Sequence, residues 1–159
     1  MLPWHRYCSI THLSTMDIDI KILVVDTDAR RRSWTVDVLQ RAKYLATGAG
    51  NFKAARGLLG SRWYDLLITN LRLEAYNGLH LVFEGHVFRP HMPAIIIDSL
   101  PDASNENQAR RAGAAYLGAP PDARRLMALV KTLLEEPMFL VRQKWSAEPT
   151  ALASTQTTN

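Results

Sequence analysis

Three clusters of polar side chains stand where apolar runs end: Asp26-Thr27-Asp28 after "KILVV", Asn70 after "DLLIT", and Asp98-Ser99 after "AIII". Carboxylates in such places suit two kinds of chemistry: holding a hard cation, or attacking as a nucleophile to make an acyl intermediate. The middle cluster departs from that pattern. In "DLLITNLRLEAYNG", residues 65–78, the group after the apolar run is the amide of Asn70. Its nitrogen lone pair is delocalised into the carbonyl, so it cannot be the nucleophile, and it brings a cation no charge. Two substitutes for a lost cation are open. Arg72 could turn its guanidinium onto Asp26 or Asp98, or point to solvent; alternatively Asp26, Asp28 and Asp98 could together hold a cation weakly.

Other chemistries lack their residues. The single cysteine, Cys8, excludes an internal disulfide and a cysteine-based zinc site. His80 and His86 are six apart on a predicted helix and face different ways, while His91 follows Pro90 in a loop. "GAGNFK" (48–53) opens like a dinucleotide-binding loop, but Lys53 stands where glycine or alanine is needed. Net charge is +4, carried by short arginine runs (Arg30–Arg32, Arg110–Arg111, Arg124–Arg125) read as solvated helix faces rather than a nucleic-acid patch. No apolar run approaches the roughly 20 residues of a membrane span. The first residues, "MLPWHRYCSITHLST", have no apolar core of the kind a secretory signal carries. A reducing cytoplasm is the expected setting.

The elements that must position these clusters alternate regularly. "KILVV" (21–25) is short, β-branched and wholly apolar, as expected of a strand covered on both faces. Asp28 can cap the next helix, with Trp34, Val38 and Leu39 as its inner stripe. A weak strand at 44–47 precedes a helix capped by Asn51, with Phe52, Ala55, Leu58 and Leu59 facing in. "DLLIT" (65–69) and a helix at 78–88 follow, then "AIII" (94–97) and a helix over 105–114 ending at Gly113. "AYLG" (115–118) is a fifth strand, and a fifth helix runs from Pro121 to a stop before Pro137. Trp34, Phe52, Phe83 and the stripe Leu126, Met127, Leu129, Val130, Leu133 are assigned to the core. Five strand–helix units with right-handed crossovers give an α/β fold with a parallel sheet. Ligands of such a sheet sit beyond the strands' carboxyl ends, where the three clusters lie.

In this order and spacing the residues resemble the receiver domain of bacterial two-component response regulators. The resemblance spans about 20–136 and rests on "ILVVD", "YDLLIT", Gly78 eight residues after Asn70, "PAIII" and "AGAAYLGAP". It implies a doubly wound, flavodoxin-like (βα)5 fold. It also implies a mechanism in which a histidine kinase phosphorylates an aspartate ending the third strand. An acidic pair ending the first strand then holds Mg²⁺, and a Thr or Ser and a Lys ending the fourth and fifth strands bind the phosphoryl oxygens. An aromatic residue three before that Lys rotates to report the state.

Transferred onto this chain, most of those positions are changed. Asp26 matches the first acid; Thr27 replaces the second, with Asp28 acidic one place late. Asn70 replaces the phosphoacceptor, Asp98 falls where the Thr should be with Ser99 beside it, and Ala119 replaces the Lys. Tyr116 matches the reporting aromatic. The losses are mutually consistent: no nucleophile, too few hard ligands for Mg²⁺, and a carboxylate that repels a phosphoryl dianion. The expectation is a stand-alone, degenerate receiver without catalytic residues or cofactor, acting by protein–protein contact. Its partners would be a histidine kinase, another receiver or a scaffold, with the 104–136 face also open to homodimer formation. The alternatives are a working receiver with a substitute acceptor, Asp98 or Asp28, and a basic nucleic-acid-binding protein. Residues 1–19 read as an extension and 137–159 as a polar, disordered tail.

Overall fold

The computed structural model describes residues 19–118 and 122–135. Ala119 and the terminal segments, and with them the expectations placed there, lie outside the described residues. Five parallel strands form one sheet: β1 (Lys21–Val25), β2 (Leu45–Ala49), β3 (Leu66–Asn70), β6 (Ala94–Asp98) and β7 (Ala115–Gly118), in the order β2-β1-β3-β6-β7. A two-rung antiparallel ribbon, β4 (Arg72–Leu73) with β5 (Tyr76–Asn77), leads from β3 into the third helix.

The contiguous apolar runs are buried on both faces, and alternation splits their side chains between two cores. Ile22, Val24, Ile68 and Ile95 meet Leu39 of α1 (Ala29–Arg41) and Leu126, Val130 and Leu134 of α5 (Ala123–Glu135). Leu23, Val25, Leu67 and Ile96 meet α2 (Phe52–Ser61), α3 (Gly78–Phe88) and α4 (Ala103–Arg111) through Ala55, Leu59, Leu81, Val82 and Ala109. This is the doubly wound arrangement expected, with α1 and α5 on one face and three helices on the other.

Several element limits differ from expectation. β2 runs to Ala49 rather than residue 47, because its register with β1 continues as far as Val25. α4 starts at Ala103, where the Asp102 side chain accepts from Ser104 N–H and caps it; it stops at Arg111, before Gly113 turns the chain at φ 75°. Trp34 and Phe83, expected in the core, are exposed. The face of α1 that packs inward carries Thr35 and Leu39 instead.

Candidate functional site

The carboxyl ends of β1, β3 and β6 are neighbours in the sheet, pairing Val25 with Thr69 and Asn70 with Ile97. The third helix is held close by Gly78: a Cβ there would overlap the carbonyl oxygen of Asn70. The Gly78 N–H instead donates to Leu71 O at 2.7 Å. The eight-residue spacing from Asn70 to Gly78 therefore has a steric cause: helix α3 begins against the end of β3.

Asn70 is buried, and its amide is orientated by its neighbours. Oδ1 accepts from Arg72 N–H at 2.9 Å, so Nδ2 is the end that faces the pocket. There it donates to Asp26 Oδ2 at 3.3 Å and to Ser99 Oγ at 3.2 Å. An ionised carboxylate could not donate to Asp26, and could meet Ser99 only by accepting from its hydroxyl. The amide joins two of the three strand-end clusters as a donor, the reverse of what a nucleophile or metal ligand would do.

Asp26 is paired with a cation of the protein itself. Arg31, in the first turn of α1, grips Asp26 with two nitrogens, Nε to Oδ2 at 2.9 Å and Nη2 to Oδ1 at 3.0 Å. This is the fork geometry that guanidinium and carboxylate favour. Arg32 Nη1 donates to the backbone oxygen of Asp26 at 2.6 Å. The Asp28 N–H adds a bond to Asp26 Oδ1 at 2.8 Å. With Asn70, four donors occupy the four acceptor positions of one carboxylate. The bond to Asp26 raises the pKa of Arg31 above its ordinary value.

Of the two readings open for Arg72, its exposed side chain fits the one that points to solvent; its contribution is its backbone N–H, and the guanidinium on Asp26 is that of Arg31. One expectation is corrected here: Arg31 and Arg32 are not part of a purely solvated face. Arg31 was legible in principle: with Asp28 as N-cap, residue 31 falls in the first turn, above the end of β1.

Asp28, Thr27 and Asp98 do not assemble around a cation with Asp26. Asp28 Oδ1 caps α1, accepting from Arg30 and Arg31 N–H at 2.9 Å each. The Arg31 N–H above all, although burial opposes it, holds the Asp28 carboxyl below its usual range. Among the described residues no group of three His, Cys, Asp or Glu side chains could hold a metal ion. The suggested Asp26–Asp28–Asp98 site is thus dispersed.

Asp98 is fully buried and turned toward the other end of the site. Its Oδ2 accepts from Tyr116 OH at 2.8 Å and from Asn105 Nδ2 at 2.9 Å, and Oδ1 accepts from Leu100 N–H at 3.0 Å. The Tyr116 oxygen in turn accepts from Asp102 N–H at 3.3 Å. Burial first, and the Asp98 bond second, push the Tyr116 phenol above its ordinary pKa. Asn105 was missed in the sequence because its link to Asp98 depends on the entry angle of α4.

A five-stranded doubly wound sheet with an acidic cluster at the carboxyl ends of β1 and β6 defines the receiver-like class. The family model for the response regulator receiver domain matches residues 22–131, and the chain belongs to that family. It is 36% identical over 115 residues to the response regulator protein PilR of Pseudomonas aeruginosa. That alignment takes in 72% of this chain but 26% of PilR, so the chain spans about a quarter of its relative. The fold is similar to a CheY-like receiver domain from Methanospirillum hungatei (TM-score 0.69, 23% identity, 79% of this chain and 98% of that one). It is also similar to NtrX from Brucella abortus (TM-score 0.72, 23% identity, 81% of this chain and 29% of that one). Two-component signalling is thereby the setting of this fold, and no described helix is long and apolar enough to cross a membrane.

Proposed function

We propose that this chain is a receiver that keeps the fold of its family but not its phosphoryl chemistry, and that it acts in the cytoplasm through protein–protein contacts. One observation carries the reading: every acceptor position of Asp26 is taken by Asn70, Asp28 N–H and the Arg31 fork. A Mg²⁺ ion would have to displace a charge-assisted bidentate pair and would then find an amide where it needs a carboxylate. The acceptor amide is also unable to form an acyl phosphate. Asp98 and Asp28 are poor substitute acceptors, since both carboxylates are engaged in holding α4 and α1 in place. Partners would be a histidine kinase, another receiver or a scaffold, met through the 104–136 face, which also admits a homodimer.

The test is incubation of the full chain with acetyl phosphate and Mg²⁺, followed by intact mass. No gain of a phosphoryl group is expected. A stoichiometric gain, mapped to Asp98 or Asp28, would establish a working receiver with a substitute acceptor.

A further inference from the structure

Among the described residues the sheet has an open edge at β2. Leu45 N–H donates to Ile20 O and Ala49 O accepts from Asp26 N–H, so the odd residues of β2 turn their backbone groups to β1. Alternation then turns those of Ala46 and Gly48 outward. Ala46 O takes a long bond from Gln40 Nε2 at 3.5 Å, which leaves the row poorly satisfied. An edge of this kind is a template for a further strand.

A cleft lies along each face of that edge. On the α2 face it measures about 400 Å³ and is lined by Leu45, Thr47, Trp63 and Tyr64, between Lys21 and Arg62. On the α1 face it measures about 520 Å³ and is lined by Tyr44, Leu45, Ala46 and Thr47, beside Gln40 and Lys43. Leu45 is 47% exposed and Trp63 50% exposed, although both are large and apolar. A strand added here would send alternate side chains to the two faces. Its fitting occupant is therefore a contiguous apolar run, not an alternating one.

The chain supplies such a run. Past Pro137, outside the described residues, the sequence reads Met138-Phe139-Leu140-Val141 before it turns polar. The run starts from the right place. Leu134, in the last turn of α5, belongs to the core against which Tyr44 packs, and Tyr44 is the residue before β2. After burial, it is the charge of Glu135 that raises the Tyr44 phenol above its ordinary pKa. The three steps from Glu135 to Met138 span about 10 Å. The hand of the connection agrees as well. Moving from β1 to β2, the chain crosses over the α1 face of the sheet, and α5 lies on that same face. A parallel strand entered from α5 beyond β2 is thus a right-handed crossover, like those inside the fold.

We propose that residues 138–141 dock as a sixth, parallel strand on the outer edge of β2, covering the two clefts beside it. A tethered segment meets the edge at an effective concentration on the order of millimolar, which sets it ahead of a free strand from another molecule. Docked there, it closes the edge of the sheet against pairing between copies. The proposal uses no residue of the Asp26–Asn70 pocket and does not depend on whether that pocket is phosphorylated.

The experiment is amide hydrogen exchange, read by NMR on the full chain. Ala46 and Gly48 should exchange about tenfold more slowly in the parent than in Phe139→Ser with Val141→Ser, while Ile68 in the middle of the sheet keeps its rate. Leu45→Glu attacks the contact from the other side by placing a charge in the α2-face cleft. It should speed exchange at residues 139–141 by a similar factor, and Ile68 should again be unchanged. Free exchange of Ala46 and Gly48 in the parent, or protection that the tail substitutions leave intact, would overturn the proposal. Release of Ile68 together with the edge would also overturn it, since the run would then be part of the core and not a strand laid on it. So would sedimentation showing a dimer that the tail substitutions dissolve, because the strand would then come from a second copy.

Discussion

Asp26 and Asp98 end strands of the same sheet, and both are buried, yet they are held in different ways. Asp26 is bound by a cation: Arg31 neutralises it from a side chain that is itself 37% exposed. Asp98 receives uncharged donors, from Tyr116, Asn105 and the Leu100 backbone. The first arrangement is a latch whose arm reaches in from solvent and could swing out. The second ties β6, the loop after it, α4 and β7 together through one donor from each of the three neighbouring segments. The receiver pocket has thus been divided into an openable half and a structural half. Substitutions in the two should cost different amounts and respond differently to cations.

The largest effect is expected at Asp98. Asp98→Asn would keep an acceptor for Leu100 N–H but set an amide nitrogen against Asn105 Nδ2 and the Tyr116 hydroxyl. A buried network with donors facing donors loses about 2–4 kcal/mol. Chemical denaturation should show this as a lower midpoint with an unchanged slope. A loss below about 0.5 kcal/mol would mean that Asp98 does not bind these elements together. Mg²⁺ should restore nothing, because no cation site is created.

Asn70→Asp should cost somewhat less, about 2 kcal/mol, by placing a second carboxylate beside Asp26 Oδ2 where Nδ2 now donates at 3.3 Å. Here Mg²⁺ should recover part of the loss: at ten times its Kd a ligand contributes about 1.4 kcal/mol. The parent should melt at the same temperature with or without millimolar Mg²⁺. Labelling of the variant by acetyl phosphate should stay slow, since Ala119 supplies no cation for phosphoryl oxygen and Asp98 repels it. Rapid, complete labelling would show that only the acceptor had been lost.

The contrast between the halves also explains what the sequence made legible. The strands could be read because burial on both faces demands contiguous runs such as "KILVV" and "AIII". The nearness of Asp26, Asn70 and Ser99 could be read because the ends of adjacent strands converge whatever the loops do. Which way Arg31, Arg72 and Asn105 point could not be read, since side-chain direction follows from helix entry angles rather than from residue type. The same limit misplaced Trp34 and Phe83: apolarity argues for burial, but not which face of a helix is turned inward. The β4–β5 ribbon is too short for any periodicity to announce it.

Arg31→Met should open the latch at small cost, about 1 kcal/mol, because the Arg31 end of the pair is 37% exposed and part of its attraction is screened. Its sharper use is in combination. Arg31→Met with Asn70→Asp frees two positions on Asp26 and adds a second carboxylate. Mg²⁺ should raise the melting temperature of the double variant more than that of Asn70→Asp alone. An equal response in the two variants would show that the guanidinium does not compete for the cation position.

The smallest effect belongs to Tyr116, which tests the structural half without dismantling it. Tyr116→Phe removes one bond to Asp98 Oδ2 but leaves Asn105 donating to the same oxygen, so about 1 kcal/mol should be lost. The titration of the native tyrosine gives an independent reading. Its folded-state pKa lies above the ordinary value near 10, first from burial and then from the Asp98 bond. A group whose pKa is raised by folding binds its proton more tightly in the folded state. Its contribution is therefore complete below about pH 10 and is lost as pH rises through the folded-state value. Above pH 10 the parent should lose stability more steeply than Tyr116→Phe, and the difference between them should shrink. Tyr44, raised by burial and then by Glu135, titrates in the same range but is present in both proteins, so the subtraction removes it. If the two stability curves stay parallel up to the point where the chain unfolds, the hydroxyl is not held by Asp98, and the structural half rests on Asn105 and Leu100 alone.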